Sequence, residues 1–298
     1  MLPCEMNGLE ISNTSSYIAS TYACAVLNIP LAMLTTSVNA CLIAALLKSN
    51  ERGETHLLLI LNLAITDLVT GLFTMPSNFV EYLYIAMLKD PCYFADVTIV
   101  IKHVIGWVSF HIVAALAVER YIYIFHPYFY NARLTSRSWI WSVVCCIWLL
   151  SILAVAPGYL SFHKRLLFAS SIVFGTPLSI IIIFSHAKIF VRAQRIRRQI
   201  KTEAERFRQV GSSDKDRNIL LVGGLIILAF FVCSAPTYIT SILKVFDVQS
   251  SLFKYTVCWE WLFIMTNSLF NPVISCVFNP IIKRNILSMC RLRRKSRT

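Results

Sequence analysis

Long stretches of apolar side chains recur along the chain, separated at near-regular intervals by short polar clusters. Crossing ~30 Å of hydrocarbon takes about 20 mostly apolar residues in a helix. Seven stretches qualify: 22–47, 56–79, 97–122, 138–160, 167–190, 218–243 and 256–278. Lipid offers the backbone no hydrogen-bond partners, so each stretch must satisfy its own N–H and C=O groups as a helix. The pattern predicts an all-α membrane protein, a seven-transmembrane helix bundle that forms one domain over 22–278. Residues 1–21 form an outer tail, and 279–298 contain a short amphipathic helix on the membrane surface, Pro280 to Met289, followed by the basic run Arg291 to Lys295.

Composition agrees with the pattern: 57% hydrophobic residues against 14% charged, with a mean hydropathy of +0.65, exclude a soluble pair of domains. A net charge of +13 raises nucleic acid as a partner. The distribution of that charge removes it. With the amino terminus outside, the outer segments hold five basic residues (Lys89, Lys164, Arg165, Lys244, Lys254), the inner ones hold 22, and Lys102 lies within a span. This asymmetry places the carboxyl terminus in the cytoplasm and the basic segments against anionic inner-leaflet lipid. The first 21 residues lack a basic n-region and an apolar h-region, so the first span is expected to act as its own signal. Asn13-Thr14-Ser15 is a glycosylation sequon on that outer tail. The ten cysteines contain no C-x-x-C pair, which argues against a thiolate metal site and for most of them as small buried hydrophobes.

Polar side chains inside the spans carry the chemistry. Asn39 sits deep in the first span, where an amide usually bonds a neighbouring helix. Asp67 in Thr66-Asp67-Leu68 is a carboxylate in the second span, and an unpaired charge there is costly enough to suggest a function. Glu119-Arg120-Tyr121 closes the inner end of the third span; its arginine is either a switch or a headgroup anchor.

In order and spacing, Asn39, Asp67 and Glu119-Arg120-Tyr121 resemble the rhodopsin-like (class A) G-protein-coupled receptors. Further landmarks extend the resemblance from Tyr22 to Cys290: Pro127 in the second inner loop, Trp148 in the fourth span with Pro157 closing it, Pro177 as a kink in the fifth, Phe230 and Pro236 in the sixth, and Asn267-Ser268-Leu269-Phe270-Asn271-Pro272 in the seventh. The resemblance implies an extracellular small-molecule, lipid or peptide ligand, a heterotrimeric G protein as partner, and a plasma-membrane location. It implies that Arg120, with Glu119, Tyr121 and Asp216 at the base of the sixth span, holds the inner face closed. The other reading of Asp216 is a solvated charge in Asp214-Lys215-Asp216-Arg217. It also implies an allosteric sodium ion among Asp67, Ser109, Asn267, Ser268 and Asn271, with no cofactor required. Oxygen-only ligation suits a hard cation, and a water-filled cluster around a protonated Asp67 is the alternative.

Lys102 lies eighteen residues outward of Arg120, about 27 Å along a helix. Aminergic members of the family carry an aspartate at that position, so a cation here argues against an amine ligand. Glu260 is the expected internal partner if Lys102 is structural, and otherwise both line a ligand cavity with His103. His103 and His111, eight apart, are read as polar lining on one face.

The chain also departs from the family pattern. Ser234 stands where a tryptophan is usual and Ser275 where a tyrosine is, so two aromatic parts of the activation relay are absent. No cysteine occurs between Cys146 and Cys233, so the usual outer disulfide to the second outer loop cannot form. Cys92 is expected to be free or bonded to Cys4 or Cys258, and Cys290 is a palmitoylation candidate. The span between Lys254 and Lys283 has no lysine, and Met265 stands where an opsin binds retinal. The rival readings are a decoy or scaffold receptor that does not couple, and a small transporter. The transporter lacks its expected inverted repeat.

Overall fold

The computed structural model describes residues 14–48, 55–89, 92–160, 164–206, 232–246, 251–278 and 282–288. These residues are helical throughout, apart from short turns, and no strand occurs among them. Helix α1 is Ser15–Leu47, α2 is Thr55–Ala86, α3 is Cys92–Phe125, α4 is Arg137–Leu160 and α5 is Lys164–Arg206. α6 covers 232–245, α7 is Ser251–Phe278 and the short α8 covers 282–288. Helices α1 to α5 each contain a segment long and apolar enough to cross a membrane.

Several boundaries differ from the sequence expectation. α1 begins at Ser15 rather than residue 22, and α2 continues to Ala86 rather than stopping at 79. Helices outlast their hydrocarbon-spanning length because nothing in the polar ends breaks them. Pro157 was expected to close the fourth span but lies inside α4, which continues to Leu160, and Pro177 lies inside an α5 that is unbroken to Arg206. α5 therefore carries part of the basic third inner segment as a helical extension.

α2 is interrupted by a π turn at Thr70–Thr74, immediately before Pro76. A proline inside a helix loses one backbone bond and presses its ring on the carbonyl four residues back; the wider turn relieves both. The extra residue rotates everything beyond it by about 100°. Gly71 lies in this turn, where a Cβ would come within 2.6 Å of Thr36 Oγ1 and 2.9 Å of the Thr36 backbone nitrogen. Its missing side chain lets α1 and α2 meet backbone to backbone.

Apolar clusters at three depths hold the described residues of the bundle together, with two smaller ones, around Trp107 and around Ala114, joining α3 to α4 and α5. Tyr17, Cys24, Ala25, Tyr82 and Ile85 close the outer end of α1 and α2. Leu63, Val108, Ile112 and Ile147 join α2, α3 and α4 at mid-depth. Leu42, Leu46, Leu57, Ile60, Ala64 and Ile282 close the inner end. The last cluster shows that α8 packs on the bundle: Ile282 is buried and Asn285 donates to the Ala45 carbonyl at 3.2 Å. Large apolar side chains such as Met33, Leu72, Leu149 and Ile180 remain on the outside, as expected of a surface facing lipid. Trp148 joins them, 39% exposed. The cysteines divide: Cys24 and Cys233 are buried, whereas Cys41, Cys145 and Cys146 lie on the exterior.

Candidate functional site

α3, α5, α6 and α7, with Thr70 and Thr74 of α2, line a cavity of about 160 Å³. Lys102, His103, Trp107, Tyr238, Glu260 and Trp261 stand on its walls. Lys102 does not pair with Glu260, the partner the sequence offered. Lys102 Nζ donates to Glu81 Oε2 of α2 at 2.5 Å, and both side chains are nearly inaccessible, at 2% and 7% exposure. Glu81 escapes a reading of the sequence because hydropathy ends the second span before it; the π turn and the longer α2 bring it onto the face that meets α3. Glu260, buried on α7, instead faces the hydroxyls of Thr237 and Thr240 on α6.

His103 and His111 do not share one lining. His103 lines the cavity, bonds the Ile99 carbonyl at 2.9 Å and meets the Trp261 ring edge-on at 5.0 Å. His111 turns to α4, where its Nδ1 is 3.1 Å from Ser151 Oγ. Another wall residue that the sequence did not flag is Tyr238, whose hydroxyl is 2.7 Å from Ser179 Oγ and ties α6 to α5. Pro236 lies two residues before it within α6.

Below the cavity, the structure brings most of the midplane oxygens together. Asp67 is fully buried; Ser109 donates to its Oδ1 at 3.3 Å and Asn271 donates to its Oδ2 at 2.7 Å. Ser109 Oγ also lies 3.1 Å from Thr66 Oγ1. Ser268 adjoins the same carboxylate, and Ser109, Ser268 and Asn267 all line the cavity floor. Asn39 donates across to the Ser268 carbonyl at 3.2 Å, fixing α1 to α7 one turn before Pro272. This donor set fits a small hard cation in its chemistry: one carboxylate, two hydroxyls and two amides, with no nitrogen or sulfur ligand.

At the inner end of α3, Arg120 Nε lies 3.4 Å from Glu119 Oε2, with the arginine 38% exposed and the glutamate buried. The second inner loop reaches back to the same carboxylate. Pro127 starts a single helical turn, and Tyr130 in the π turn that follows donates its hydroxyl to Glu119 Oε1 at 2.7 Å. Thr55 at the start of α2 donates to the Leu134 carbonyl at 2.6 Å and closes the loop from the other side. Burial, and then the bond to Glu119, push the Tyr130 phenol well above its ordinary value. Tyr121 stacks on Phe125 at 4.8 Å and leans on Phe184 of α5 at 6.0 Å.

The sequence profile described as "7 transmembrane receptor (rhodopsin family)" matches residues 38–282. The chain belongs to that family. Relatives of this rhodopsin-family chain include a melatonin receptor type 1C from Xenopus laevis, 25% identical over 271 residues, which are 81% of this chain and 61% of the relative. Opsin-3 from Mus musculus is 24% identical, over 80% of this chain and 63% of the relative. The human prostaglandin E2 receptor EP3 subtype is 29% identical, over 74% and 66%. The chain thus spans about three fifths of the length of the curated relatives it matches. It is a multi-pass membrane protein with the seven-helix fold of the family.

Several sequence expectations fall outside the described residues: the sequon at Asn13, the acid Asp216, Phe230, Cys4 and Cys290. The side chains of Cys92 and Cys258 also lie outside them, and with them the outer disulfide.

Proposed function

We propose that this chain is a plasma-membrane receptor, amino terminus outside, that takes a small extracellular ligand into the cavity between α3, α5, α6 and α7 and couples to a heterotrimeric G protein. The observation that carries the reading is a shared floor: Ser109 and Ser268 line the ligand cavity and also adjoin Asp67. A ligand that moves either serine changes the hydrogen bonds of a buried carboxylate, which gives it the differential free energy that a two-state bundle needs. Asp67, Ser109, Asn267, Ser268 and Asn271 would hold a sodium ion at that floor, neutralising the carboxylate in the closed state. The coupling surface comprises Glu119, Arg120, Tyr121, the loop from Pro127 to Leu134 and the basic end of α5. The relatives named for melatonin and for prostaglandin E2 support a small-molecule or lipid ligand over a peptide.

A second reading, a receptor that binds without coupling, is favoured by the missing relay aromatics. Ser275 donates to the Asn271 carbonyl on its own helix at 2.9 Å, and Ser234 stands on the cavity wall. A G-protein activation assay in cells separates the two, comparing the wild type with Arg120→Ala at matched surface expression, with and without a ligand panel. Coupling predicts a loss of at least about tenfold in the variant. Equal signals under every condition leave the non-coupling reading standing.

A further inference from the structure

We propose that the cavity is built for an aromatic ammonium compound whose charged nitrogen is received by Glu260 on α7. The proposal rests on the reading of this cavity as the ligand site, and it reverses the expectation drawn from Lys102.

Lys102 and Glu81 neutralise each other at 2.5 Å, so the one lysine on the cavity wall among the described residues is already partnered within the protein. Glu260 is not. It is 7% exposed, lines the cavity and, among the described residues, has only the hydroxyls of Thr237 and Thr240 for company and no cationic side chain within ion-pair distance. A carboxylate at this depth is costly without a counter-charge. His103 shares the cavity, but its ring is held by the Ile99 carbonyl and the edge of Trp261. The carboxyl group therefore faces the cavity with acceptor capacity and, among the described residues, no counter-charge, which an ammonium ion would supply.

The walls specify the rest of the ligand. Trp107, Phe110, Phe168, Tyr238 and Trp261 surround the space. Their π faces favour a flat aromatic body and add attraction for a cation. At about 160 Å³ the cavity is smaller than the ~300 Å³ of ordinary ligand sites. That size suits a bicyclic ring with a short amine chain. Carboxylate and aromatic box together match an arylalkylamine.

The test uses the full-length protein in detergent, with thermal stability as the readout and three probes sharing one ring: tryptamine, the neutral tryptophol and the anionic indole-3-acetate. The expected result is saturable stabilisation by tryptamine at concentrations at least about tenfold lower than tryptophol, and none by indole-3-acetate. Glu260→Gln should erase the preference for the amine, and Glu260→Asp, which keeps the charge, should retain most of it. Gly106→Phe fills the cavity from a position whose Cβ meets nothing within 4 Å, and should abolish binding without a clash at the backbone. Equal response to tryptophol, a stronger response to indole-3-acetate, no response to tryptamine at millimolar concentration, or tryptamine binding that survives Gly106→Phe would each overturn the proposal. Coupling is scored separately through Arg120→Ala, so amine binding without G-protein activation sinks the coupling reading and leaves this one intact.

Discussion

Lys102 of α3 and Glu81 of α2 form a buried ion pair, Nζ to Oε2 at 2.5 Å, across the outer half of the bundle. Removing one member strands the other's charge in a low-dielectric interior, which costs about 3–5 kcal/mol, whereas replacing both with apolar groups is often near neutral. Glu81→Leu and Lys102→Met should each lower thermal stability strongly, and the double variant Glu81→Leu/Lys102→Met should regain most of the loss. Additive losses in that cycle would mean the two side chains act independently.

Tyr130 bonds the carboxylate of Glu119 and thereby ties the second inner loop to the arginine triplet. Tyr130→Phe keeps the ring and removes the hydroxyl, and should cost about 1–3 kcal/mol because the buried acceptor belongs to a charged group. Basal coupling should rise as Glu119 is released. The phenol is shifted upward on folding, so its contribution is fully present below the unfolded value of about 10 and declines as pH rises from there toward the folded value. The stability gap between wild type and Tyr130→Phe should therefore be flat at neutral pH and shrink above pH of about 10, as measured by unfolding across an alkaline series.

Sodium binding at Asp67 predicts a salt-specific stabilisation. Replacing choline chloride with sodium chloride at constant ionic strength should stabilise the wild type, by about 3 kcal/mol at roughly a hundred times Kd. Asp67→Asn should remove the response while keeping a side chain of the same shape. A response that persists in the variant would place the ion elsewhere.

Gly71 and Gly106 should respond in opposite ways to alanine. A Cβ at Gly71 meets Thr36 Oγ1 at 2.6 Å and forces α1 from α2, at a cost of about 1–3 kcal/mol by overpacking. A Cβ at Gly106 meets nothing within 4 Å, and the change there should be neutral or gain up to about 1 kcal/mol of helix propensity. Melting the two variants side by side checks the close approach at the π turn.

The membrane-crossing helices were legible in the sequence because the bilayer imposes a length and an apolar composition that no other environment demands. Asn39 and Asp67 were legible because polar residues are scarce in the spans and stand out, whereas Ser109, Asn267, Ser268 and Asn271 were grouped with Asp67 only through the resemblance to the receptor family. Helix ends were less so: α2 runs seven residues past its expected limit, since hydropathy marks where lipid stops and not where a helix does. Tyr130 was hidden in a loop whose backbone path no periodicity reports.

The partner of Lys102 was decided by tertiary structure alone. Sequence offered Glu260 as the acid in reach, but the π turn before Pro76 rotates the outer half of α2 and delivers Glu81 first. Charge along the chain determined that a cation and an acid lie within the outer bundle. The register of one helix, set by where a proline interrupts its hydrogen bonds, decided which acid was neutralised and which was left facing the cavity.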